Sequence, residues 1–175
     1  RKSLTKPKSR SHTANPSAVQ VVQYAKDLFE NGDAHKGIWP RAFEKIYAVF
    51  DRDDHESYFQ ALRLAESLNG KLRNDAKQSV SFMAIASVPS FELWLLLHFE
   101  DIKAPIHRDE VLKRLKAHLP TYQKGITGVF AMTCSKLNEA TQRANQLAEQ
   151  FNADTVPEPF TAVVELVELL TRLRA

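Results

Sequence analysis

Hydrophobic positions change their spacing several times along the chain, and each change predicts an element. Val19, Val22, Ala25 and Phe29 follow a helical repeat. Asn15 and Pro16 ahead of them suit an N-cap and a first helical residue, and Asn31-Gly32-Asp33 ends the run. A loop is predicted over about 31–44. Ile46-Tyr47-Ala48-Val49-Phe50 is then a continuous apolar run that breaks off at Asp51-Arg52-Asp53-Asp54-His55. Such a run predicts a strand covered on both faces, as in a parallel sheet. Tyr58, Phe59, Leu62, Ala65 and Leu68 predict an amphipathic helix over about 56–69, closed by Asn69-Gly70. A polar stretch over about 71–79 separates it from a second apolar strand, Val80 to Ala86. The helix predicted from about Phe91 to Phe99 is apolar almost all round, which places it in the interior.

The C-terminal part, from about residue 105 to 175, reads as mostly helical. A helix from about His107 to Leu119 stops at Pro120, and a loop with Gly125 and Gly128 follows. Leu137, Ala140, Ala144, Leu147 and Phe151 mark a further helix. The last is predicted over about 159–173, with Phe160, Val163, Val164, Val167 and Leu170 facing inward. Strand, helix, strand, helix is the order of a parallel crossover, so the fold class is α/β: a small parallel sheet between helices, with a helical C-terminal extension. Two strands are too few for a stable sheet. Further strands are therefore expected, either from stretches with no readable periodicity or from a segment ahead of Arg1.

Charge divides the chain unevenly. The net charge is +3, yet Arg1, Lys2, Lys6, Lys8 and Arg10 precede any acid. Residues 1–14 are thus read as a basic flexible arm, and residues 15–175 as one domain that nets a small negative charge. A single cysteine, Cys134, excludes an internal disulfide framework and fits a reducing, cytoplasmic setting. No apolar run approaches the roughly 20 residues of a membrane span. Glycine-rich phosphate loops, zinc spacings and nucleophile elbows are lacking.

Candidate chemistry concentrates at the strand ends. In an extended strand, residues two apart project to one side, so Asp51 and Asp53 form a carboxylate pair. Two such carboxylates repel unless a cation lies between them. A hard ion, Mg²⁺ or Mn²⁺, is the natural occupant, and the carboxyl ends of parallel strands are where open α/β sheets bind ligands. The alternative is that the acids from Asp51 to Asp54 cap the following helix. Glu92 also has two readings: a further acid facing the same crevice, or an acid stabilised by the helix N-terminus. His98 reads as a satisfied interior histidine, Cys134 as structural, and His55 has no metal-binding company.

Three stretches together resemble the RloB-like family. They are Val49-Phe50-Asp51-Arg52-Asp53-Asp54-His55, the run Ser87-Val88-Pro89-Ser90-Phe91-Glu92-Leu93-Trp94-Leu95-Leu96-Leu97-His98-Phe99, and a weaker tail with Tyr122 and Lys124 near a glycine. Order and spacing match over roughly residues 15–170. Members usually carry Asn and Cys on either side of the proline, where this chain has Val88 and Ser90. The resemblance implies a topoisomerase–primase-type (TOPRIM) domain. It implies a metal held by a Glu after an early strand and by an Asp-x-Asp matched here by Asp51 and Asp53. It further implies bacterial anti-phage defence, nucleic acid as target and an ATPase as partner. No apolar strand ending in Glu precedes the Asn15 helix, so the early acid is expected either upstream of Arg1 or not at all.

Three functions follow as expectations. The first is a Mg²⁺- or Mn²⁺-dependent nuclease with Asp51 and Asp53 as ligands and Glu92 as support. The second is a non-catalytic subunit that docks on a defence ATPase or senses a phage component. The third is an aspartyl phosphotransferase, which His55 argues against, since that motif normally continues with Thr or Val.

Overall fold

The computed structural model describes residues 16–52, 57–151 and 159–173. Asn15, Asp53 to Glu56 and the basic arm lie outside the described residues. The first helix, α1, spans Ala18–Asn31, two residues later than the Asn15-Pro16 signal placed it. Ser17 is its N-cap, and the Ser17 amide donates to the Gln20 side chain at 2.9 Å. Gly32 follows with φ +68°, and a side chain there would meet the Ile38 carbonyl at 2.5 Å. The predicted loop after it contains one 3₁₀ turn, Ala34–Lys36, whose first amides are capped by Asp33.

Strand β1 (Lys45–Asp51) and strand β2 (Ser81–Val88) pair in parallel, with Asp51 opposite Ser87. Between them lies α2 (Tyr58–Leu68). Helices α1 and α2 pack on each other and on one face of the strands. Ala48 and Phe50 point into that layer, where the Phe50 ring meets Tyr58 edge-on at 6.0 Å. The expectation that β1 is covered on both faces is corrected. Val49, which points the other way, is 45% exposed. The elements that cover the second face, α3 and α7, pack against β2, and β1 lies at the sheet edge. The last four residues of β2, from Ile85 to Val88, are buried on both faces as predicted.

Helix α3 (Glu92–Leu97) is short, and all six of its residues are buried. It packs on α4 (Arg108–His118) and α6 (Leu137–Gln150), which supply Val111, Leu115, Ala140, Ala144 and Leu147 to the same core. Each of the valine and leucine side chains adds roughly 1.5–3 kcal/mol by leaving water, and each alanine methyl roughly 0.8 kcal/mol. A further short helix, α5 (Val129–Thr133), stands where only loop was predicted.

The missing sheet partner comes from a place read as helix. Phe160–Thr161 forms β3, antiparallel to β2, before α7 begins at Val163 and runs to Arg172. Two residues are too few for a strand periodicity. What fixes β3 is tertiary: the Ala162 amide donates to the Ala86 carbonyl at 2.9 Å, and the buried hydroxyls of Ser87 and Thr161 meet at 3.0 Å. The inward placement of Leu170 is also corrected. The α7 stripe is buried at Val163 and Val164, but by Leu170 the helix has passed the edge of the core, and that side chain is 52% exposed. Among the described residues, no helix is long and apolar enough to cross a membrane.

Candidate functional site

Parallel pairing carries the ends of β1 and β2 to one edge of the sheet. The Arg52 amide donates to the Ser87 carbonyl at 2.9 Å and extends the pairing past Asp51. Asp51 Oδ1 accepts the Phe91 amide at 2.8 Å, so the acid that closes β1 is tied to the residue that opens α3. This bond runs between strand ends 40 residues apart and is not a cap on α2. The other half of the predicted pair, Asp53, lies outside the described residues, as does His55.

Glu92 sits beside this bond and is buried. Both carboxylate oxygens are engaged. Ser90 Oγ donates to Oε2 at 2.7 Å, Tyr122 OH donates to Oε1 at 3.1 Å, and Lys124 Nζ lies 3.5 Å from Oε1. Burial alone raises a carboxyl pKa. Here the Ser90 hydroxyl, the backbone amide, the Lys124 charge and the Tyr122 hydroxyl outweigh it, and the Glu92 pKa is lowered. Glu92 is therefore ionised at neutral pH. Tyr122 is shifted upward, first by burial and then by the charges of Glu92 and Asp51, so its hydroxyl stays protonated and able to donate. Asp51 and Glu92 thus act on one tyrosine, within one polar cluster.

His98 behaves as the satisfied histidine expected. Its Nδ1 donates to the Trp94 carbonyl at 3.0 Å, its ring meets Trp94 edge-on, and burial first of all lowers its pKa, keeping it neutral. Cys134 is exposed, and its thiol donates to the Ala131 carbonyl at 3.5 Å. Ser90, Tyr122 and Lys124 belong to the cluster; the family resemblance includes them, but no spacing in their own neighbourhood marks them as site residues. Tyr122 is 30 residues from Glu92, and only folding joins them.

A family model for RloB-like protein matches residues 1–170. The chain belongs to the RloB-like family. No match appears among curated proteins or solved structures. In this RloB-like chain, all three stretches of the sequence resemblance meet at one place: Asp51 from the first, Ser90 and Glu92 from the second, Tyr122 and Lys124 from the third.

A hard divalent ion takes carboxylate oxygens and water. Asp51 is a donor of that kind at an edge of the molecule. Glu92 is a poorer one, because it is buried and both of its oxygens already accept protein partners that a metal would have to share or displace. Among the described residues no three His, Cys, Asp or Glu side chains converge as a metal site.

Proposed function

We propose that this RloB-like chain is a metal-dependent phosphodiester-cleaving domain of a bacterial anti-phage defence system, with nucleic acid as substrate. One observation carries the reading. Asp51 stands at the carboxyl edge of the parallel strands, fastened to Phe91 and next to an ionised, buried Glu92. That edge is where open α/β sheets place ligands. In this reading Asp51 and Asp53 hold Mg²⁺ or Mn²⁺. A bound ion of this type polarises the phosphoryl group and lowers the pKa of coordinated water. The protein supplies a fixed carboxylate, a proton-bearing tyrosine and a cation at one strand edge.

The test is cleavage of mixed DNA and RNA with Mn²⁺ or Mg²⁺, comparing the chain with its Asp51→Asn, Asp53→Asn form. Metal-dependent cutting that disappears with the aspartates supports the reading. Unchanged cutting and unchanged metal affinity in the double variant sink it.

The second reading, a docking or sensing subunit for a defence ATPase, has an observation of its own. An apolar trough between α5 and α7 is lined by Phe130, Val167, Leu170 and Leu173, and Leu173 is 74% exposed. Exposed apolar surface of this kind marks interaction sites. Co-purification with the ATPase that is lost in Leu170→Glu supports this reading, and its persistence there removes the trough from consideration.

A further inference from the structure

Lys124 is the cation of the strand-edge cluster. Its Nζ lies 3.5 Å from Glu92 Oε1, while 54% of its side chain is exposed. The Glu92 side chain is only 5% exposed. The ammonium is thus anchored by charge from beneath and open to solvent from above. One face of the ammonium is turned to that carboxylate, and its other N–H donors lie on the solvent side, where a ligand can reach them. The loop that carries Lys124 is fastened one turn earlier, where Tyr122 OH donates to the same carboxylate oxygen and the Tyr122 amide donates to Leu119. Ser90 holds the opposite oxygen. Glu92 therefore has every bond that a clasp needs and no oxygen lacking a partner.

We infer that Lys124 is a phosphate-binding position at the Asp51 edge, and that Glu92 and Tyr122 are positioning residues that hold it there, not metal ligands. The inference rests on the phosphodiester reading of that edge and names the group that meets the substrate's phosphate. A lysine ammonium is a compact point charge with three donors, well matched to a phosphate oxygen. Held by the Glu92 that also accepts from Tyr122, the tyrosine that feels the Asp51 charge, it lets a metal-neutralised phosphodiester sit at this edge. Carboxylate alone would repel the substrate.

The experiment measures two affinities on the full chain: Mn²⁺ alone, and a fluorescent single-stranded oligonucleotide in Ca²⁺. Lys124→Ala is expected to weaken the oligonucleotide about tenfold, a loss of about 1.4 kcal/mol, with Mn²⁺ affinity within about twofold of the parent. Lys124→Arg recovers most of that loss, which a merely structural lysine would not require. Glu92→Gln is expected to keep Mn²⁺ affinity and to weaken the oligonucleotide by a smaller factor. Tyr122→Phe, which removes one hydroxyl from a side chain that keeps its packing, does the same. A tenfold loss of Mn²⁺ affinity in Glu92→Gln, in a variant that melts like the parent, would make Glu92 a ligand and overturn the inference. So would oligonucleotide binding that Lys124→Ala leaves unchanged. Asp51→Asn is the separate control. If it leaves Mn²⁺ affinity unchanged, the metal reading falls, whatever Lys124 does.

Discussion

The two parallel strands start from similar apolar runs and end in different surroundings. The second half of β2 is buried on both faces, with Ile85 fully out of solvent. β1 is buried on one face only, and Val49 stands 45% exposed on the other. Their ends differ in the same sense. β2 delivers Ser87, Ser90 and Glu92 into a buried network, whereas β1 delivers Asp51 to the rim, where its Oδ1 accepts the Phe91 amide. The difference teaches that an apolar run reports strand propensity. Whether a strand is covered depends on what else packs there. It also separates the two ends at one sheet edge: the β2 end builds a buried network, and the β1 end carries the acid on which the proposed chemistry rests.

Core truncation should expose the contrast most strongly. Ile85→Ala is expected to cost about 2–5 kcal/mol, read from urea unfolding. Val49→Ala should cost less than about 1 kcal/mol, since its site is half open. Equal costs would show that the outer face of β1 is covered in solution.

The network at the end of β2 comes next. Glu92→Ala leaves Tyr122 OH and Ser90 Oγ without their acceptor, at about 1–3 kcal/mol. Its pH dependence has a definite sign. The folded pKa lies below the ordinary glutamate value of about 4.3, so the ionised form contributes stability that is fully present above that value. That contribution is lost as pH falls through the depressed folded pKa. The gap in stability between the parent and Glu92→Gln should therefore narrow on acidification below about pH 4. A gap that widens there would mean that Glu92 folds in its neutral form.

Smaller effects belong to single bonds. Thr161→Val removes the hydroxyl that meets Ser87 and accepts the Val163 amide, at about 1 kcal/mol. Ser87→Ala should cost a similar amount, and the double variant less than both together, because the two share one bond. Asp51→Asn keeps an oxygen for the Phe91 amide and is expected to change stability by about 0.5 kcal/mol or less, while abolishing metal-dependent cleavage. Loss of folding in Asp51→Asn would move that residue from the chemical side of the comparison to the structural one.

Much of the fold was legible because it rests on local rules. The helical repeat of Val19, Val22 and Phe29, the apolar run to Phe50 and the all-round apolar α3 each carry their own period. The site was legible only in part. Asp51 stands out as an acid after an apolar run, and Glu92 as an acid in a buried helix. Tyr122 and Lys124 have no such local contrast: one polar-tipped aromatic and one lysine in a glycine-bearing loop look like any surface turn. Leu170 misled for the opposite reason. Its spacing continues the inward stripe of α7, and periodicity does not record where the core ends.

The sequence by itself determined the order of strand and helix, the buried α3 and an acid at the first strand's end, because these depend on neighbours a few residues away. Tertiary structure alone decided that Phe160 and Thr161 complete the sheet, that β1 keeps an open face, and that Glu92 clasps Tyr122 and Lys124 beside Asp51. Those contacts join groups 30 to 74 residues apart, and their free energy is gained only once burial has brought them together and excluded water from between them.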